Sequence, residues 1–492
     1  MSQIFAAHLL ANLVSSGVTD FFLAPGSRSQ SLAISLAQLE AAGKANSVVR
    51  LDERSLGFTA LGYASATGKP AAIIVTSGTA VGNLFPAVLE AYHSSVPLLL
   101  LTADRPAALR GKGANQTTNQ PGIFGFAASC IDVPVGAGPE DAHRLAREAA
   151  AKFAQQPGPL QLNLQFAPPL SAPEPDAAEI LAGLRAEQKP DQGKSVTELA
   201  VPVDDHTVVI AGSGGEGANE FARLANLPLL AEPASGARFG PQASAAYLDR
   251  IDELAPQVRK AVVFGKPTLS RKVLALIENS TVYFEESSKH GAYDPFDSVI
   301  ASAQRLIPDG QGSDMWVAAW QSEPMGSTRG EFVAKVWDKS DRLLLGASDL
   351  IRELERVAVP KEIEVYANRG LSGIDGVVST AIGIALAKGE TTAMIGDLTL
   401  LHDAGGLNLS GLDVPLRIVV GNDRGGEIFR KLEIAQHASP DVLERYFTTP
   451  QRVDISALAA AYGWQYRSCE SLSELEEAWK LSGPVIIDYQ LV

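Results

Sequence analysis

The sequence predicts an α/β protein built from three parallel-sheet modules, and three features carry that expectation. Short apolar runs, continuous enough to be buried on both faces of a sheet, alternate with stretches of helical patterning along the whole chain. Turns rich in Gly, Asp and Arg follow those runs instead of interrupting them. The length, 492 residues, suits about three domains of ordinary size.

In the first module, residues 19–24 (TDFFLA) read as a strand running into the turn Pro25-Gly26-Ser27-Arg28, with a helix from Gln30. Residues 47–51, 71–76 (AAIIVT), 97–102 (PLLLLT) and 160–166 (LQLNLQF) read as further strands, and 53–66 and 79–92 carry helical patterns. Crossovers between parallel strands should be right-handed. This module spans 1–172. The Pro- and Ala-rich stretch that follows cannot hold regular structure for long, so 173–200 reads as a linker. A central module, 201–310, has strands at 207–211, 261–264 and 281–284, and residues 307–313 mark its end. The third, 311–492, repeats the alternation with strands at 342–346, 364–367, 392–395, 416–420 and 485–489.

Composition narrows the function. Hydrophobic residues make up 46% and charged residues 20%, the balance of an ordered globular chain. With 41 Lys and Arg against 56 Asp and Glu, the net charge is −15, and no dense basic run occurs, which argues against nucleic-acid binding. Apolar runs such as 96–101 fall far short of the roughly 20 residues a membrane span needs. The N-terminus has no basic leader and reads as a mature helix. Cys130 and Cys469 offer neither metal-ligand spacing nor a disulfide framework, so a cytoplasmic, reducing setting is expected.

Ligands of open parallel sheets bind beyond the carboxyl ends of strands. There, in the third module, Gly396-Asp397-Leu398-Thr399 follows one apolar strand and Asn422-Asp423-Arg424-Gly425-Gly426 follows another. Two carboxylates and a backbone carbonyl suit Mg²⁺, which prefers oxygen and commonly shares its shell with a diphosphate. The plainer reading is that both Asp residues cap helices. The pair resembles the thiamine-diphosphate fingerprint GDG…NN, with two departures: Leu398 for the last Gly and Asp423 for the second Asn. Asp remains a competent Mg²⁺ ligand. A thiamine-diphosphate enzyme also needs a carboxyl group against the aminopyrimidine ring, to promote the tautomer that removes the thiazolium proton. Glu53, after the strand at 47–51, is placed for that role. Taken alone, it is an ordinary acidic residue in a first helical turn.

The likeness extends beyond the cofactor. PGSRSQSL (25–32), RLDERSLGF (50–58), VTSGTAVGNLFPAVLEA (75–91), LTADRP (101–106), GANQTTNQPG (113–122), NRGLSGIDG (368–376), GDLTLLHD (396–403) and NDRGGEIF (422–429) occur in order. Together they resemble the 2-succinyl-5-enolpyruvyl-6-hydroxy-3-cyclohexene-1-carboxylate (SEPHCHC) synthase family of menaquinone biosynthesis. The match covers the first and third modules and leaves the central one with only the general α/β pattern. The resemblance implies the thiamine-diphosphate-binding fold type, with pyrimidine-binding, central and diphosphate-binding domains. It also implies a homodimer or homotetramer with active sites at the subunit interface. By the same resemblance Glu53 activates the cofactor, while Asp397, Asp423 and the Gly425 carbonyl hold Mg²⁺, for which Mn²⁺ can substitute. Ser372, Ile374, Gly396, Asp397, Leu398, Thr399, Gly426, Ile428 and Phe429 line the cofactor. Ser27, Arg28, Arg105, Asn115, Gln116, Ser348, Arg352 and Arg369 form the substrate-binding set.

The implied reaction joins 2-oxoglutarate, after loss of CO₂, to isochorismate. Holding these carboxylates on an acidic protein requires local guanidinium groups. None of the seven histidines pairs with another near a motif, and only His402 lies in a motif loop, which favours ligation over simple aldehyde release. The alternatives are another thiamine-diphosphate 2-oxo acid enzyme, of acetolactate-synthase or decarboxylase type, and a non-catalytic subunit of the same fold. The turn 212–217 (GSGGEG) has no acidic residue at the offset a dinucleotide site needs, so it reads as a ligand-free strand-to-helix turn.

Overall fold

A computed structural model describes residues 2–172, 174–184, 196–286, 293–409 and 411–491. The chain divides into two compact units, one comprising 1–192, 375–389 and 403–414, the other 193–374, 390–402 and 415–492.

The first unit holds β1 (Asp20–Leu23), β2 (Asn46–Val49), β3 (Ala71–Val75), β4 (Leu98–Asp104), β5 (Ser129–Val133) and β6 (Leu160–Gln165). They form one parallel sheet in the order β2-β1-β3-β4-β6-β5. β1, β3 and β4 are buried along their whole length, as continuous apolar runs require of central strands covered on both sides. One face packs helices Ser2–Ser15, Gln30–Ala41 and Pro139–Gln155 into a core with Leu9, Leu36, Leu145 and Leu162. The other face packs helices Glu53–Thr67 and Phe85–His93 around Phe22, Leu61, Val88 and Leu100. Helix Glu53–Thr67 is buried nearly all round because helix Val377–Lys388 crosses it. A Cβ on Gly62 would lie 2.1 Å from the Thr380 carbonyl oxygen, and one on Gly383 would lie 2.0 Å from that of Thr59. Glycine on both helices allows this approach.

Three differences from the sequence reading have local causes. The helical run 79–92 breaks at Leu84 into Thr79–Asn83 and Phe85–His93, with Pro86 in the opening turn of the second. β5 is a half-exposed edge strand with mixed polarity, so it lacks the apolar signature of its neighbours. Within 173–200, Asp176 accepts from the Ala178 N–H and caps helix Ala177–Gly183, whose Ala177 joins the core. Residues 198–200 of that expected linker begin a further strand, Glu198–Pro202, while residues 173 and 185–195 lie outside the described residues.

The second unit contains β7 (Glu198–Pro202), β8 (Thr207–Ala211), β9 (Leu229–Ala231), β10 (Lys260–Phe264), β11 (Thr281–Glu285), β12 (Val299–Ala303) and β13 (Arg305–Asp309). β12-β11-β10-β8-β9 form a five-stranded parallel sheet, and β13 pairs with β7 beside it. Next come β14 (Arg342–Leu345), β15 (Glu364–Tyr366), β16 (Thr391–Gly396), β17 (Leu416–Asn422), β18 (Gln465–Cys469) and β19 (Val485–Gln490). They form a six-stranded parallel sheet, β15-β14-β16-β17-β19-β18. The chain reverses its direction of strand addition between β14 and β16, the kind of position where ligands bind in such sheets.

The turn 212–217 packs against the turn after β10. Ser213 and Lys266 form an antiparallel bridge, and the Gly215 N–H donates to the Gly212 carbonyl. That close backbone contact accounts for the glycines. Among the described residues no helix is long and apolar enough to cross a membrane.

Candidate active site

In the second unit the expected cation site gathers at the carboxyl ends of β16 and β17. Gly396 ends β16, and Asp397 opens helix Asp397–His402, where the helix dipole favours an acidic side chain. Asp397 is only 4% exposed. Its Oδ2 is buried without a hydrogen-bond partner among the described residues. Burial pushes its pKa up to about 6, the neighbouring Asp423 charge adds to the rise, and the N–H groups of Leu398 and Gly425 oppose it. A buried carboxylate with an orphaned oxygen beside a second carboxylate is what a divalent cation relieves, so these residues fit the expected group. No cluster of three His, Cys, Asp or Glu able to hold a metal occurs among the described residues.

Gly425 has φ +152°, and a Cβ there would lie 2.6 Å from the Thr448 carbonyl oxygen, so only glycine lets the turn after β17 sit where it does. The Gly426 N–H donates to that same carbonyl. Ile428 and Phe429 follow, half-buried, with the Phe429 ring against Phe447. Leu398 is half-buried and Thr399 buried. Ser372, half-buried with φ +59°, and Ile374 lie on the loop after β15. A polar cavity of about 810 Å³, lined by Asp397, Asn422, Arg424, Tyr466 and Asp488 among others, opens at the ends of β16 to β19.

Asp423 is already engaged within the fold. Arg329 grips it with a two-pronged ion pair, Nη1 to Oδ2 at 2.8 Å and Nη2 to Oδ1 at 2.5 Å. Sequence reasoning missed this residue because Arg329 lies in the first turn of helix Thr328–Lys339, outside every motif.

The residues of this unit expected to bind substrate follow β14 and β15. Ser348 caps helix Asp349–Val357 by accepting from the Leu350 N–H. Arg352, exposed, donates to the Ser348 carbonyl. Arg369 is buried and donates to Thr268 Oγ1. Both arginines act electrostatically on the buried Glu355, which accepts from the Tyr247 hydroxyl. His402 is exposed at the end of its helix.

In the first unit, Glu53 opens helix Glu53–Thr67, whose N-cap Asp52 accepts from the N–H groups of Arg54 and Ser55. Glu53 is half-buried, and its Oε2 accepts from the Asn83 side-chain amide at 3.2 Å. The motif around it is anchored by Arg50, which donates to Thr59 Oγ1 and to the Gly406 and Asn408 carbonyls. Asp403 accepts from Arg54 and the Ser379 N–H.

Arg28 and Arg105 come together at the ends of β1 and β4. Arg28 donates to the Phe166 carbonyl, while its buried Nε has no partner among the described residues. Burial lowers its pKa and the Arg105 charge lowers it further, so an anion between them would be stabilised. Arg105 donates to Ser77 Oγ and to the Gln116 carbonyl, and the Gln116 side chain returns a bond to the Ser77 carbonyl. Ser27, Asn115 and Gln116 are exposed around this pair.

Comparison with known proteins bears on both units. Residues 4–123 match the family model for the thiamine pyrophosphate enzyme N-terminal TPP binding domain, and residues 355–489 match that for the C-terminal TPP binding domain. A protein of Leifsonia xyli subsp. xyli named 2-succinyl-5-enolpyruvyl-6-hydroxy-3-cyclohexene-1-carboxylate synthase is 42% identical, covering 98% of this chain and 94% of that one. Proteins of the same name from Arthrobacter sp. (42% identical; 97% and 87% covered) and Paenarthrobacter aurescens (41%; 100% and 94%) are also similar. The crystal structure of benzoylformate decarboxylase from Polynucleobacter necessarius superposes with a TM-score of 0.68 at 17% identity, covering 99% of this chain and 98% of that one, a likeness of fold.

Proposed function

The chain belongs to the SEPHCHC synthase family, and from that membership we propose that it is a thiamine-diphosphate- and Mg²⁺-dependent carboligase of menaquinone biosynthesis. It decarboxylates 2-oxoglutarate and adds the resulting succinyl-semialdehyde carbanion equivalent 1,4 to isochorismate, giving SEPHCHC and CO₂. The observation that carries the cofactor reading is the buried Asp397, with an oxygen left unpartnered beside Asp423.

When bound, thiamine diphosphate supplies the electron sink that makes loss of CO₂ feasible. The chain's own residues do the rest. Asp397, Asp423 and the Gly425 carbonyl hold the cation. Ser372, Ile374, Gly396, Leu398, Thr399, Gly426, Ile428 and Phe429 line the cofactor. Glu53 holds and moves a proton at the aminopyrimidine ring, with Asn83 donating to its carboxylate. Arg28 and Arg105 hold substrate carboxylate together with Ser27, Asn115 and Gln116, and Arg352, Arg369 and Ser348 do so from the second unit. The working form is a homodimer or homotetramer in the cytoplasm, with the site completed across the subunit interface.

Product analysis tests this. Incubation with 2-oxoglutarate, isochorismate, thiamine diphosphate and Mg²⁺ should yield CO₂ and the adduct in equal amounts. Succinic semialdehyde without adduct, or a preference for pyruvate, would overturn the reading.

A further inference from the structure

We propose that Arg329 is the charge-compensating and positioning partner of Asp423, and that the two together do the work of the single neutral amide found at this place in the thiamine-diphosphate fingerprint. The inference rests on the reading of Asp397 and Asp423 as cation ligands, and it adds a residue that no motif contains.

Replacing Asn by Asp brings a second negative charge to a largely buried site. The Asp423 side chain is 10% exposed and that of Arg329 18%, so water screens neither well. Uncompensated, two like charges would stand side by side where water screens them poorly, and their repulsion would add to the cost of the site. Arg329 removes the excess: one guanidinium against two carboxylates leaves the single negative charge that an Asp–Asn pair would offer.

The geometry suits a ligand that stays in use. A carboxylate has about four lone-pair positions, and the planar fork of Arg329 takes one on each oxygen, leaving the others for a cation. Arg329 is itself held from behind. Asp349 Oδ2 lies 3.6 Å from its Nη1, and Lys431 Nζ lies 2.6 Å from the same oxygen. The chain Lys431–Asp349–Arg329–Asp423 thus fixes the carboxylate's orientation. Asp349 also begins the helix capped by Ser348, which ties the substrate loop to the cation loop. Partners behind a metal ligand usually decide how well it binds.

A double-mutant cycle on the full-length protein tests this, reading Mn²⁺ binding by electron paramagnetic resonance in the presence of thiamine diphosphate. Circular dichroism melts accompany each variant. Asp423→Asn alone should weaken Mn²⁺ binding about ten- to a hundredfold, because the guanidinium remains without its carboxylate. Adding Arg329→Gln to that variant should recover most of the loss. In the wild-type background the same Arg329→Gln change should weaken binding, since Asp423 loses its orientation. Arg329→Lys, which keeps the charge without the fork, should fall between. If Arg329→Gln melts out, Arg329→Lys takes its place in the cycle, where its effects must differ between the two backgrounds. Effects equal in both backgrounds to within about twofold, the additivity of independent sites, refute the proposal for Arg329 alone. Wild-type protein that binds no Mn²⁺ beside the cofactor refutes the metal reading, and this inference with it.

Discussion

Gly383→Ala should destabilise the protein although alanine is the better helix former. Gly383 lies in helix Val377–Lys388, where a Cβ would meet the Thr59 carbonyl oxygen at 2.0 Å and the Tyr63 nitrogen at 2.7 Å. Ordinary contact begins near 3.4 Å, so one helix must retreat by about 1 Å. Both obstructing atoms are backbone in the intact helix that begins at Glu53, and neither can rotate away. Overpacking of this kind costs about 1–3 kcal/mol and sometimes more, against a gain of about 1 kcal/mol in helix propensity. Because the obstruction is backbone, we expect the upper half of the difference, a net loss of about 1–2 kcal/mol, which lowers the melting temperature by about 2–8 °C at 2–4 °C per kcal/mol. Gly82→Ala is the control: it lies in helix Thr79–Asn83 with nothing within 4 Å of the added carbon, so stability should hold or rise. Thermal melts of both variants give the answer. A Gly383→Ala protein melting at or above the wild type would show that the helices do not meet through their glycines.

Three further outcomes are expected. Glu53→Gln should retain thiamine-diphosphate binding by calorimetry while turnover falls by about 10²–10⁴, the usual weight of a lost proton transfer; wild-type turnover would contradict the assigned role. Asp397→Ala should weaken Mg²⁺-dependent retention of the cofactor, and equilibrium dialysis showing unchanged affinity would remove it from the metal site. Glu232→Gln should stabilise the protein increasingly as pH rises. Burial and the neighbouring Glu355 charge push the Glu232 pKa from 4.5 up to about 8. Below pH 4.5 folded and unfolded chains both keep the proton. Between 4.5 and 8 the unfolded chain releases it first, so wild-type stability falls with pH and the full cost is reached above 8. Gln can still accept from the Thr268 and Leu269 N–H groups that Glu232 Oε1 now serves. Urea midpoints at pH 5, 7 and 9 that fail to separate would count against it.

Central strands and their loops were legible because their signals are local. β1, β3, β4, β16 and β17 are apolar runs buried on both faces, and each expected loop residue at their ends lies where the run stops. The edge strands β5 and β18 were not: they are exposed or half-buried up to their last residue and carry polar residues, so over five positions no apolar run or alternation separates them from loop. Arg369 was legible as a cation on a motif loop, but its burial against Thr268 was not, because that partner lies 101 positions away.

The order of motifs and the residue types at strand ends, set by backbone chemistry that acts over a few residues, already determined the family, the cofactor class and the acidic pair. Which charges neutralise one another was decided only by the folded chain. Arg329 meets Asp423 across 94 positions, Arg50 meets Gly406 across 356, and Gly383 meets Thr59 from another helix. Burial makes such pairings costly to leave unmade, yet nothing in the linear spacing of the residues specifies them, since packing of the sheets and helices alone brings them within reach.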